Sequence, residues 1–196
     1  MGAQTSHRSR GGFTLIELMV VIALVAIILA IAAPSFRSMI EMQRLRSITS
    51  QLVTDFQFAR SEAVARRALV GVAFKSNAAM TCYTVYSTPP LQQPCNCLDG
   101  PGAACAAPMV EVRTVQVPRS LSVMVAPVAG DQEFVFNPNT GGIMSIPQDT
   151  APDPIESFKV ETYIDVARKL QTVLNRAGRP QVCKPAGSTM TEASCP

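Results

Sequence analysis

From Phe13 to Ala33 the chain runs for 21 residues with Glu17 as its one charged side chain. As a helix rising about 1.5 Å per residue, this stretch is long enough to cross a hydrocarbon core about 30 Å thick. An unpaired carboxylate inside lipid is costly. A plain anchor or a signal peptide has no use for one. The segment therefore reads as a membrane helix whose acid waits for a cationic partner once the helix leaves lipid and packs on another.

Before this run stands a short segment, residues 1–12, with Arg8, Arg10 and no acid. It has the look of a targeting leader and is set apart from the fold. Removing it takes the formal charge from +3 to +1. A nearly neutral protein offers no global case for a polyanion partner. Charge is uneven, however, positive before residue 75 and after residue 164 and negative between. Arg37, Arg44 and Arg46 follow the apolar run, so the basic residues alone do not orient it in a membrane. Six cysteines, all beyond residue 80, suit an oxidising compartment.

After Pro34, which is expected to kink the helix, the apolar pattern changes form. Ile40, Leu45, Ile48, Leu52, Phe56, Ala59 and Ala63 recur at helical spacing, with Arg44, Arg46, Gln51, Asp55, Arg60 and Glu62 on other faces. This predicts an amphipathic helix to about Arg67, continuous with the membrane half, about 80 Å in all. From Leu69 onward short β-prone runs take over. Leu69–Lys75, Thr81–Ser87, Met109–Val117, Glu133–Asn137, Gly142–Ile146 and Ser157–Ile164 are expected strands. Lys169–Leu174 and Arg179–Cys183, joined by Asn175-Arg176-Ala177-Gly178, form an expected closing hairpin. With no helices between these runs the sheet should be mostly antiparallel. Pro89–Pro108 and Pro147–Pro154 read as loops.

Gly12 followed by Phe13, with Glu17 at the fifth position after that junction, resembles the processing site of type IV prepilins. The basic leader and the break at Pro34 resemble the same family. The Ala59-Arg60-Ser61-Glu62-Ala63-Val64 stretch, the β-rich body and the Gly178-Arg179 hairpin resemble its GspH/FimT group of minor pilins and pseudopilins. The resemblance implies an α+β pilin fold: a long N-terminal helix, transmembrane half plus amphipathic half, packed on a mostly antiparallel sheet domain. It implies a leader at 1–12, a transmembrane helix at 13–33, the amphipathic half at 34–68 and a periplasmic head at 69–196. It implies that a prepilin peptidase cuts after Gly12 and methylates Phe13, and that Glu17 then pairs with the freed amine of a neighbouring subunit. Its implied partners are other pilins, bundled through their N-terminal helices, and an inner-membrane assembly platform. Its implied place is the inner membrane and then a type IV pilus or the filament of a type II secretion system.

The cysteines fall into two groups. Cys183 and Cys195 enclose a short C-terminal loop and are expected to form a disulfide, worth about 3 kcal/mol in a chain-entropy account. Cys82, Cys95, Cys97 and Cys105 allow three pairings. Of these Cys95 with Cys97 is disfavoured by the tightness of the intervening chain. No Cys-x-x-Cys knuckle is present, so zinc is not expected. Nor is any other metal or cofactor. The only histidine, His7, lies in the leader, which removes His-based nucleophilic and metal chemistry from the processed chain. The loop carboxylates Asp131, Glu133, Asp149, Asp153 and Glu156 read as solvated. No enzymatic activity is expected. Some FimT-side relatives resemble DNA-uptake receptors that use a Gly-Arg-x-Arg motif. Here Gly178-Arg179-Pro180-Gln181 matches its first two elements and lacks the last. Arg176, Arg179 and Lys184, with Arg168 and Lys169, are the candidate phosphate contacts. No aromatic residue follows Ile164 to stack on bases.

Overall fold

A computed structural model describes residues 12–88, 95–128, 132–145 and 153–195. The chain divides into two units, Met1–Ile40 and Glu41–Pro196. One helix, α1 (Leu15–Arg66), begins in the first unit and supplies the first element of the second. In the first unit, Leu15–Ala32 is long and apolar enough to cross a membrane, and its side chains are exposed within the structure. The helical assignment runs on through residue 34 without a break.

In the second unit the predicted apolar stripe is the buried one. Leu45, Leu52, Phe56, Ala59 and Ala63 have no exposed surface. The helix stops at Arg66 because Arg67 turns into the left-handed region (φ 52°), and the Ala68 N–H then reaches the Ala63 carbonyl at 3.2 Å. This geometry favours glycine, and a side chain there costs about 1 kcal/mol. Arg67→Gly is therefore expected to raise stability by about 1 kcal/mol, read as a higher urea midpoint with an unchanged slope.

Among the described residues nine strands follow: β1 (Leu69–Ser76), β2 (Met80–Thr88), β3 (Val110–Pro118), β4 (Met124–Pro127), β5 (Glu133–Phe136), β6 (Ile143–Met144), β7 (Ser157–Tyr163), β8 (Lys169–Asn175) and β9 (Pro180–Cys183). They build two sheets rather than the single sheet expected. One has the order β3-β2-β1-β5-β6 and the other β4-β7-β8-β9. Every strand pair is antiparallel. β4 escaped the sequence reading because four residues ending in proline carry too little alternation to register as a strand. The expected strand reaching Ile146 is shorter in the structure, and Ile146 itself lies outside the described residues. So do residues 89–94 and 147–152 of the two expected loops. The described part of the first loop contains a single 3-10 turn, Cys97–Asp99.

Phenylalanines join helix and sheets into one core. Phe56 of α1 meets Phe134 of β5 edge-on at 5.5 Å between ring centroids. Phe134 meets Phe158 of β7 at 4.6 Å, and Phe158 stacks on Phe74 of β1 at 6.0 Å. Such pairs add to the area they bury. Two smaller clusters flank this core. Leu45, Val123, Leu170 and Met190 pin the C-terminal segment to the helix. Ala73, Tyr86 and Cys95 cover the sheet face turned away from it.

Candidate functional site

Gly12 and Phe13 are exposed and precede the first helical residue. Thr14 caps the helix: its hydroxyl accepts the Glu17 N–H at 3.3 Å, and its carbonyl accepts the Leu18 N–H at 3.2 Å. Glu17 therefore sits in the first turn, where the helix dipole favours a negative charge. The sequence reading passed over this cap, although Thr14-x-x-Glu17 spells the start of a capping box. The exposed segment thus holds a free-standing acid one turn from Phe13, the residue that cleavage after Gly12 would leave at the chain start.

The two motifs that carried the narrower resemblance meet in the head. Arg60 of α1 donates its Nε–H to the Gly141 carbonyl at 3.0 Å. Gly141 ends a turn in which Asn137 accepts the Asn139 and Thr140 N–H groups. Gly178 lies against the same carbonyl: a Cβ built there would stand 2.2 Å from the Gly141 oxygen and 3.3 Å from Arg60 Cδ. Gly178 also has φ +71°. The Ile143 N–H bonds the Arg176 carbonyl at 3.2 Å, which ties the edge of the first sheet to the hairpin of the second. Helix, turn and hairpin are locked at this one point. A pocket of about 450 Å³ opens beside it, lined in part by Asn137, Met144, Pro154 and Arg176.

A second lock centres on Asp55, which the amphipathic pattern puts off the apolar stripe. It is fully buried. The Tyr83 hydroxyl donates to Oδ2 at 2.7 Å, and the half-exposed Arg113 guanidinium lies 2.9 Å from Oδ1. Burial pushes the Asp55 carboxyl above its ordinary value, against the lowering pull of Tyr83 and Arg113. Burial, then the Asp55 charge, pushes the Tyr83 phenol up as well. Glu133 also departs from the solvated reading, since it is partly buried and accepts the Tyr86 hydroxyl at 3.0 Å.

The cysteines join as Cys82–Cys97, Cys95–Cys105 and Cys183–Cys195. The loop between Cys95 and Cys105 is held down by Glu111, which accepts the Gly102 N–H at 2.9 Å and the Ala104 N–H at 3.3 Å. Partial desolvation pushes the Glu111 carboxyl up, but these donors and the Thr114 hydroxyl outweigh it and hold it below the ordinary 4.5. A depressed carboxylate contributes stability that is present above 4.5 and lost as pH falls through its folded value. Amide exchange at Gly102 and Ala104, corrected for intrinsic rate, is therefore expected to accelerate as pH falls below 4.5. Glu111→Gln is expected to abolish that acceleration.

The candidate DNA contacts do not gather into one patch. Arg168 is bound by Glu41 (2.6 Å) and Asp165 (2.7 Å), Lys169 by Glu161 (3.4 Å) and Arg176 by Glu156 (3.0 Å). Arg179 is exposed at the hairpin turn. Lys184 lies past the far end of β9, where Cys183 pairs with Gln171, so it is about 17 Å along the strand from Arg179. Among the described residues no cluster of three metal-ligating side chains occurs.

Comparison with known proteins bears on both parts of the chain. Residues 7–33 match the prokaryotic N-terminal methylation motif, and residues 49–178 match the family of type II transport protein GspH. The crystal structure of the type IV minor pilin FimU of Pseudomonas aeruginosa superposes with a TM-score of 0.52 at 15% identity, covering 79% of this chain and 98% of that one. A second crystal form of FimU covers 75% and 98%, with 15% identity and a TM-score of 0.48. No curated protein matches the sequence. An N-terminal methylation motif, an apolar N-terminal helix and a head of this fold define a pilin-like protein of the minor pilin or pseudopilin kind. The chain belongs to the type II transport protein GspH family.

Proposed function

We propose that this protein is an assembly subunit that helps to initiate or cap a pilus-like filament and carries out no reaction of its own. In this reading residues 1–12 are a leader removed by a prepilin peptidase after Gly12, and Phe13 becomes the methylated N-terminus. Residues 13–33 hold the subunit in the inner membrane, and residues 34–68 carry the helix into a head, residues 69–196, on the periplasmic side. An assembly platform then moves the subunit into a helix bundle with other pilins. The observation that carries this reading is the exposed, capped helix start, which presents Glu17 alone in an apolar segment. A carboxylate that lipid does not solvate gains most from a cation within about 4–6 Å, and a neighbouring subunit's new amine is such a cation.

Mass spectrometry of the protein recovered from membranes tests the processing step. The expected species begins at methylated Phe13. A functional protein that retains Met1 would defeat the proposal. The pairing step has its own test. Glu17→Gln is expected to leave processing intact while reducing recovery in sheared filaments at least tenfold. Undiminished incorporation would remove the acid–amine pairing.

A further inference from the structure

The disulfides around the 95–105 loop are interleaved. Taken in chain order the four cysteines are 82, 95, 97 and 105, and the bridges join first to third and second to fourth. A head exported behind its N-terminal helix, as in the proposed function on which this inference rests, exposes Cys82 and Cys95 before Cys97 and Cys105. An oxidant acting on cysteines as they emerge joins neighbours, Cys82 with Cys95 and Cys97 with Cys105. Loop-closure entropy does not correct this, because those two loops are shorter than the native ones and are favoured by a factor of about two. Only the finished head selects the native set. Cys82 is fixed in β2 of the first sheet, between Lys75 of β1 and Gln116 of β3. Gln116 donates to the Cys97 carbonyl at 2.9 Å, and the Asn96 N–H reaches the Ala104 carbonyl at 2.7 Å, which sets Cys95 against Cys105. In that head Cys82 and Cys97 have no exposed surface and Cys95 has 1%. The exchange must therefore precede closure of the loop over the sheet.

We propose that maturation of this chain requires a thiol–disulfide exchange catalyst, and that an oxidant alone does not suffice. The exchange consumes no oxidant or reductant. A catalyst thiolate attacks Cys82 of the Cys82–Cys95 bridge, forming a mixed disulfide and freeing the Cys95 thiolate. That thiolate attacks Cys105, forming Cys95–Cys105 and freeing Cys97. The Cys97 thiolate attacks Cys82 in the mixed disulfide, forming Cys82–Cys97 and returning the catalyst thiolate. Three sulfur–sulfur bonds break and three form.

The reduced, denatured full chain is oxidised in detergent micelles with diamide, which releases no thiol, the excess reagent is removed, the sample is incubated with or without reduced glutathione, and its bridges are mapped by peptide mass spectrometry. Without the thiol, the Cys82–Cys95 and Cys97–Cys105 isomer is expected to exceed the native one about twofold. With the thiol, the native isomer is expected to become the main product. A native majority from the oxidant alone would overturn the proposal. Cys95→Ser with Cys105→Ser supplies the second arm, read only as formation of the Cys82–Cys97 bridge. That bridge is expected to form equally well with and without the thiol, and a persistent thiol requirement would overturn the proposal. Neither arm depends on processing or on Glu17, so failure of the filament reading is scored separately.

Discussion

Gly178→Ala is expected to destabilise the head by about 3 kcal/mol, lowering its melting temperature by about 6–12 °C. Two costs combine. An alanine at φ +71° is strained by about 1–2 kcal/mol. Its Cβ would also stand 2.2 Å from the Gly141 oxygen, with Phe136 and Arg60 close behind, and relieving such crowding costs about 1–3 kcal/mol. Gly187 separates the two. It has φ +79° but nothing within 4 Å of a built Cβ. Gly187→Ala is expected to cost only the conformational part, about 1 kcal/mol. Thermal or urea unfolding of the two variants side by side checks this. Equal losses would mean that the contact between the hairpin and the Asn137–Gly142 turn does not hold the sheets together.

Asp55→Ala is expected to cost about 3 kcal/mol at neutral pH. The variant loses a hydrogen bond to a charged acceptor, about 1.5–3 kcal/mol, and leaves the Tyr83 hydroxyl buried without its acceptor. Loss of the Arg113 pair adds less, because that guanidinium is half exposed and screened. The raised Asp55 pKa means that its two partners do not fully offset desolvation. An apolar replacement of the pair should therefore be tolerated. Asp55→Leu combined with Tyr83→Phe is expected to recover most of the loss, whereas Tyr83→Phe alone strands the carboxylate. The pH dependence has a definite sign. A carboxyl whose folded pKa is raised contributes stability that is fully present below its unfolded value, 3.8, and lost as pH rises through the folded value. Wild type should therefore gain on Asp55→Asn as pH falls from neutral towards 3.8. Urea midpoints across that range measure it, and a wild-type midpoint that climbs relative to that of Asp55→Asn as pH rises would show the sign to be wrong.

These two locks are the parts of the head that sequence reading described least well. Asp55 occupies a helical position flanked by polar neighbours, and nothing local marks it as buried. Its environment is made by Tyr83 and Arg113, which lie 28 and 58 residues further along the chain. Arg60 and Gly178-Arg179 stand out as motifs in the sequence, yet why they belong together appears only where both close on the Gly141 carbonyl.

What the sequence by itself determined is what short-range physics controls. An unbroken apolar run marks the membrane-length helix. A period near 3.6 marks the amphipathic half, and alternation places eight of the nine strands to within about two residues. The N-terminal methylation motif and the enclosed C-terminal cysteines are equally local. Tertiary structure alone decided the division into two sheets, the interleaved cysteine bridges, the burial of Asp55 and the separation of Lys184 from Arg179. Each depends on which distant segments pack together. That choice is made by the whole core closing at once, a sum over long-range contacts that no window along the chain contains.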